Sequence, residues 1–468
     1  MRFRVPLAVL AATFALTLAP LALARPGGGG SYHGGGGGGG GGGGYHPMPS
    51  TPTPGGSGGG TPLGPVGIIV LVGIIGVACV IGIVRQIQMA RAPRTDQFDP
   101  NAQARASASL APLQGRDPQL TEQSIAEHVK AMSEQLNGAW CAGEMKPARS
   151  FVSDGVYSRF QVQLALMRGE NRRNVMGSAS ILAMTVESVE DAAPLDVVHV
   201  RFTAAARDTE VTWQASDAEI QQALAGAQAN PYTEIWTVVR RQGAQSKPQG
   251  FQVGKACPSC GAPLEGGEVM KCRYCGATAC SGEHDWVLAE ITQLSEWRPT
   301  QARPPGLDAL RAADPAVSAE VLEDRASYLF WKWVEAGRAN APTPLRKCSA
   351  PAFVAAGGAL EGNRGASDVA VGGAEVCNVA TPGPDGFDRV DVRVLWSARF
   401  GGSESTPRRT IVRMARRTGV QSKVSMTALV CQACGAPVAE TDTTKCEHCW
   451  AELAAGDQAW VLEGVADG

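Results

Sequence analysis

The stretch Cys257 to Glu290 reads CPSCGAPLEGGEVMKCRYCGATACSGEHDWVLAE, and Cys431 to Gly464 reads CQACGAPVAETDTTKCEHCWAELAAGDQAWVLEG, with cysteines and tryptophan at the same offsets. Each copy has a C-x2-C pair, eleven residues, and a second C-x2-C pair. Two closely spaced cysteines on a tight turn aim their sulfurs at one point, and a hairpin of that length brings the pairs together. Gly261 and Pro263, and Gly435 and Pro437, suit the turn that follows such a knuckle. The expected product is a tetrahedral cage around Zn2+, built by Cys257, Cys260, Cys272 and Cys275 in one copy and by Cys431, Cys434, Cys446 and Cys449 in the other. Two disulfides per copy, or redox C-x-x-C pairs, are the competing readings, and two matched quartets argue against both. Four cysteine ligands leave no position for water, so both ions are expected to be structural. Metal binding of roughly 10–16 kcal/mol suffices to fold so small a piece. Cys280, His448, Cys79, Cys141, Cys348 and Cys377 stand outside the matched spacing and read as bystanders.

Working outward from the cysteines, the match continues. RRQGAQSK (Arg240 to Lys247) parallels RRTGVQSK (Arg416 to Lys423), and VVHVRFTAAA (Val197 to Ala206) parallels RVDVRVLWSA (Arg389 to Ala398), both alternating as half-buried strands do. Asp117-Pro118 and Asp314-Pro315 each open a helical pattern. Ile125, Val129, Met132 and Leu136 follow the first proline at the offsets that Leu322, Ala326, Leu329 and Trp333 keep from the second, one apolar face with a 3.6 period. In the first unit a second helical pattern (Val156, Phe160, Leu164, Met167) ends at Arg168-Gly169. Strands are expected near Val175 to Val189, Asp196 to Ala205 and Tyr232 to Arg241, with a polar helix around Asp217 to Gln228 that the second unit lacks. The apolar runs HDWVLAEI and QAWVLEGV read as returning strands, which places each ribbon at the tip of the last hairpin. A whole domain duplicated, ribbon included, accounts for the pattern.

The 468 residues carry 42 Lys+Arg against 44 Asp+Glu, a net charge of -2, with a pI near 6.3. The first ribbon is neutral and the second acidic, so neither offers the cationic face that phosphate contacts require. Residues 1–24 read as a signal peptide, with Arg2 and Arg4, an apolar stretch and the Ala22-Leu23-Ala24 cleavage pattern. Residues 25–65, rich in glycine and proline, cannot bury a core and are expected to be disordered. Residues 66–84 hold nineteen residues without a charge, about 28 Å as a helix and close to the bilayer core, and read as a transmembrane helix. Arg85, Arg91 and Arg94 then place the C-terminal bulk in the cytoplasm, where reduced thiols remain free to bind metal. The remaining boundaries are a linker at 85–116, a domain at 117–292 with ribbon 257–275, a linker at 293–313, and a divergent domain at 314–466 with ribbon 431–449.

The stretches DPQLTEQSIAEHVKAMSEQLNGAW, PARSFVSDGVYSRFQVQLALMRGENRRNV, VVHVRFTAAARDTEV and YTEIWTVVRR resemble the Tim-forty-four-like domain of the mitochondrial presequence translocase and of bacterial membrane proteins. The resemblance implies an α+β fold of the nuclear-transport-factor-two-like (cystatin-like) kind, with helices on a curved antiparallel sheet around an apolar pocket. It also implies membrane association and a role in protein translocation or membrane-protein assembly. A bacterial inner-membrane protein with a single span fits the order of segments. The chain departs from the mitochondrial relative in carrying a span of its own and in lacking the long chaperone-recruiting N-terminal region.

The leading expectation is a membrane-tethered, non-enzymatic scaffold whose partners are the lipid bilayer and another protein at the membrane. Arg172 and Arg173, or Arg240 and Arg241, are candidates for anionic headgroups at roughly 1 kcal/mol each. The alternatives are a pocket-based enzyme using His128 or His199, and a zinc-ribbon nucleic-acid binder. His128 lies in a polar stretch of its helix, His199 on the polar phase of its strand, and no serine or cysteine nucleophile signature accompanies them. The charge balance speaks against nucleic acid.

Overall fold

The two apolar helical faces each form a single long helix. A computed structural model describes residues 110–468 apart from 248–252, 265–270, 295, 298–303, 423–424, 427–429, 432, 437 and 439–442. The signal peptide, the glycine-rich segment, the span at 66–84 and most of the linker at 85–116 lie outside the described residues. Helix α1 (Glu122–Ala142) starts where the Thr121 hydroxyl accepts the Ser124 N–H, and it stops at Gly143, whose φ of 72° ends the helical path. Its face of Ile125, Val129, Met132 and Leu136 is at most 1% exposed. Burying each such side chain contributes about 1.5–3 kcal/mol before chain entropy is charged.

Helix α2 (Asp154–Gly169) follows, capped by Ser153. Val156, Phe160 and Leu164 pack into the first core, whereas Val162 and Leu166 belong to the core of the second unit, so α2 is wedged between the two units. The segment expected as one strand from Val175 to Val189 is two, β1 (Arg172–Met176) and β2 (Ser180–Ala192). Both pair with the long β3 (Leu195–Thr212), β2 along its first part and β1 along its end. The polar helix α3 (Asp217–Gly226) is held by a capping box between Ser216 and Glu219 and leads to β4 (Ala229–Arg241). Strand β5 (Val287–Gln293) returns beside β4, giving an antiparallel order β1-β3-β4-β5 with β2 alongside β3.

The second unit repeats this plan with parts removed. Helix α4 (Leu307–Ala313), in the segment the sequence reads as linker, buries Leu307 and Leu310 in the second core. Helix α5 (Ala319–Ala339), capped by Ser318, buries Leu322, Ala326, Leu329 and Trp333. Where the first unit has α2, the second has only α6 (Pro351–Ala355), and Gly357 and Gly358, at φ of 90° and 70°, turn the chain out of the helical path. Strands β6 (Ala366–Ala380), β7 (Phe387–Phe400), β8 (Thr406–Arg417) and β9 (Val461–Asp467) form an antiparallel sheet in that order. The last two strands of both sheets carry a register shift at the same place, Thr237/Val238 and Arg413/Met414, which sharpens the curl of each sheet.

Each curled sheet turns its apolar phase inward. Val198, Val200, Phe202 and Ala204 of β3 face α1, and Val390, Val392, Val394 and Trp396 of β7 face α5. Phe330, Trp333 and Trp396 stack edge-on or tilted at ring separations of 5.4–6.0 Å between helix and sheet in the second unit. The outer face of the first sheet is covered as well: Leu195, Val197, Val239 and Val287 pack with Met426 and Val321 from the second unit. Among the described residues no helix is long and apolar enough to cross a membrane.

Candidate metal centres

The chain from Cys257 to Cys275 lies between β4 and β5, and that from Cys431 to Cys449 between β8 and β9. All four C-x2-C pairs fold into the same knuckle. The first cysteine of each offers its N–H to a residue five further on: Cys257 to Ala262, Cys272 to Ala277, Cys431 to Ala436 and Cys446 to Ala451, at 2.7–2.9 Å. Its carbonyl accepts from the residue after the second cysteine, which has positive φ. Gly261, Gly276 and Gly435 fill three of those positions at φ of 78°, 75° and 73°, and Trp450 fills the fourth at 62°.

Within each quartet the sulfur atoms all lie within 4.8 Å of one another. Cys257 to Cys275 is 3.7 Å and Cys260 to Cys272 is 3.6 Å, and both equivalent pairs in the second quartet are 3.7 Å. A disulfide would need about 2.05 Å. Four sulfurs about 2.3 Å from a central ion would be about 3.8 Å apart at tetrahedral angles, so the residues fit a closed four-thiolate metal site. Backbone N–H groups prepare the thiolates: that of Ala277 pulls Cys275 down to about 6, and that of Cys449 pulls Cys446 down to about 6. Burial instead pushes Cys257 up to about 12. Cys280, His448, Cys141, Cys348 and Cys377 are in neither quartet, and Cys79 lies outside the described residues.

The clusters are tied to the sheets by a network whose members recur at matched offsets. Arg240, at the end of β4, donates to Asp117 Oδ2 at 2.9 Å, and Arg416, at the end of β8, donates to Asp314 Oδ2 at 2.8 Å. All four side chains are at most 2% exposed. The same carboxylate oxygens accept from the backbone N–H of Ser246 and of Ser422. Burial alone would raise Asp117, but the Ser246 and Arg240 hydrogen bonds outweigh it and hold the carboxyl below its usual range. The tryptophan beyond each quartet covers the guanidinium: Arg240 sits 4.4 Å from the Trp286 ring and Arg416 4.5 Å from the Trp460 ring. Four residues before each tryptophan, Gly282 and Gly456 accept from Arg241 N and Arg417 N. The chain therefore enters and leaves each cluster through a buried ion pair capped by an indole. Sequence reasoning missed this role for Arg240 and Arg416, although their recurrence with the two Asp-Pro pairs was the signal.

The headgroup candidates are engaged internally. Arg240 is sealed in that ion pair, and Arg241 pairs with Glu283 at 3.0 Å. Arg172 is ringed by Glu170, Glu210 and Asp368, and Arg173 donates to the Cys141 carbonyl. The histidines also differ from their expected setting. His128 is 2% exposed, because the opposite side of α1 lies under the strand that returns from the cluster; burial lowers its pKa, and it hydrogen-bonds the Trp286 main chain. Arg325, at the same offset in α5, donates to the Trp460 carbonyl at 2.8 Å and 2.9 Å. His199 is 9% exposed on the outer face of β3, with Nδ1 2.9 Å from Thr237 Oγ1 and Nε2 3.2 Å from Glu190 Oε1. The two rings lie on opposite sides of the first sheet and form no common site.

No curated protein matches the chain. Among solved structures, a protein described as "Ntf2 like protein involved in plasmid conjugation" is similar at 8% identity, over 61% of this chain and 95% of that one, with a TM-score of 0.11, too low to carry an argument. Residues 106–251, under a third of the chain and ending before the first quartet, match the family model of the Tim44-like domain.

Proposed function

We propose that the chain is a membrane-anchored, non-enzymatic scaffold or binding protein that serves protein translocation or membrane-protein assembly, and that each quartet holds a structural Zn2+. The Tim44-like match at residues 106–251 carries the functional reading. Zinc is favoured because four thiolates form a closed, soft donor set at tetrahedral spacing, with no open position for substrate. The two units are read as copies of one domain of the nuclear-transport-factor-two-like kind, each with its ribbon inserted in the last hairpin. The paired Asp–Arg–Trp networks at matched offsets support that descent. Anchoring in the bacterial inner membrane, with both units on the cytoplasmic side, rests on residues 66–84 and the arginines that follow.

Crosslinking of the full chain in native membranes, followed by identification of what is attached, tests the scaffold reading. A defined set of membrane or translocation components is expected. Recovery of the chain in the soluble fraction with no crosslinked component would overturn it. Elemental analysis of purified protein tests the metal, with two zinc ions per chain expected. Absence of metal, or sulfurs oxidised in pairs inside cells, would remove the zinc assignment.

A further inference from the structure

The seam between the two units holds carboxyl groups that the metal clusters do not use: Asp324 is buried, and Glu290, Glu320 and Glu323 are half-buried. Glu320 and Glu323 of α5 meet Glu290 of β5, Glu190 of β2 and His199 of β3 across it. Glu323 Oε1 accepts the Val376 N–H of β6 at 3.0 Å, and Glu320 Oε2 is buried without a hydrogen-bond partner. From α2, Arg159 faces Glu290 and Glu234, but its guanidinium donates to the Ile291 carbonyl at 3.1 Å. From β4 come Thr237, bound to His199, and Glu234, bound to Trp236 and Gln293. Among the described residues none of Glu290, Glu320 and Glu323 has an ion-pair partner within 4 Å. Further along the seam, Asp324 of α5 accepts the Gly155 N–H at 3.0 Å at the start of α2, facing Asp154 and Arg149. That arginine is already paired with Asp154.

We propose that this seam is a proton-operated clasp, closed while Glu290, Glu320, Glu323 and Asp324 carry protons and loosened when they ionise. Ionised together, the three glutamates would place like charges in a site that Arg159 and His199 face but where no cation pairs with any of the three within 4 Å, so desolvation costs each charge more than its surroundings return. Burial raises all four carboxyls, Glu323 well above its ordinary value and Asp324 to about 8. A carboxyl raised on folding stabilises the closed form fully below its ordinary value and loses that contribution as pH rises through the raised one. The seam therefore weakens as pH climbs from about 4 through about 8. Each carboxyl that stays protonated only when closed changes the opening constant up to about tenfold per pH unit.

Hydrogen exchange of the full, metal-loaded chain tests the clasp, because the Val376 and Gly155 amides bond directly to seam carboxylates. Protection at Val376 is expected to fall as pH rises from 5 to 9, and to stay level in the Glu290→Gln/Glu320→Gln/Glu323→Gln variant. Asp324→Asn should flatten the profile at Gly155. PH-independent protection in the wild type, or an unchanged fall in the triple variant, would overturn the proposal. If the triple variant does not fold, Glu323→Gln alone must lower the slope by about one proton, and an unchanged slope is equally fatal.

Discussion

Removing the Asp314 carboxylate isolates one buried cation and measures what the network at the root of the second cluster contributes. Arg416 Nη1 lies 2.8 Å from Asp314 Oδ2, with both side chains 2% exposed. In Asp314→Ala the guanidinium keeps the Ser422 hydroxyl at 2.6 Å and the Trp460 face, but no anion. An uncompensated buried charge costs about 3–5 kcal/mol, which in a unit of this size lowers Tm by roughly 6–20 °C. Removing both charges in Asp314→Leu/Arg416→Met should restore most of that loss, since paired buried ions replaced by apolar groups are close to neutral. The first unit supplies a graded control. Arg240 has a second carboxylate, Asp196 Oδ2, at 3.9 Å, so Asp117→Ala leaves its cation partly balanced and should cost less than Asp314→Ala. Denaturant unfolding followed by tryptophan fluorescence gives all three numbers. A cost below about 1 kcal/mol for Asp314→Ala, a double variant as unstable as the single, or the reverse order of the two aspartates would refute the reasoning.

Three further substitutions separate backbone from side-chain effects. A Cβ at Gly155 would lie 2.4 Å from Asp324 Oδ1 and 2.8 Å from the Asp324 carbonyl oxygen, so Gly155→Ala should destabilise by about 1–3 kcal/mol. Gly138→Ala, in α1 with no atom within 4 Å, should be neutral or stabilising by up to about 1 kcal/mol in the same unfolding measurement. Trp450 is 72% exposed and holds φ of 62° where the other three knuckles have glycine. Trp450→Gly should therefore raise the unfolding free energy by about 1 kcal/mol, read as a higher chelator concentration at the midpoint of metal loss.

The parts of this fold that the sequence announces are those set by local periodicity. The face of Ile125, Val129, Met132 and Leu136 repeats every 3.6 residues and lies on one buried stripe, and the same holds for Leu322 to Trp333. The cysteine quartets are equally legible, because knuckle geometry follows from a two-residue gap and needs no tertiary context. The split of β1 from β2 was less visible: apolar alternation continues across the bend, and Gly177, whose N–H holds the Arg207 carbonyl at 2.8 Å, is the only local mark of it.

What local pattern conceals is where the second unit lands. His199 and Thr237 occupy the polar phase of their strands, which would face solvent if the first sheet stood alone; α5 and Met426 cover that face and turn it into an interior. Helix α2 is affected likewise, since Val162 and Leu166 lie off its first apolar stripe and acquire a partner only in the second core. Glu323 would be an ordinary exposed residue of an amphipathic helix, yet it reaches the Val376 N–H of β6 and faces Glu290 of the other unit. These residues lie where the first and second units meet. A unit with the same sequence pattern but no neighbour would keep these side chains in water, where glutamates and a histidine on a polar phase need no special account. The shielded acids of the seam are thus a consequence of having two units rather than one, whereas the Asp–Arg–Trp networks, present in each, would be needed by either alone.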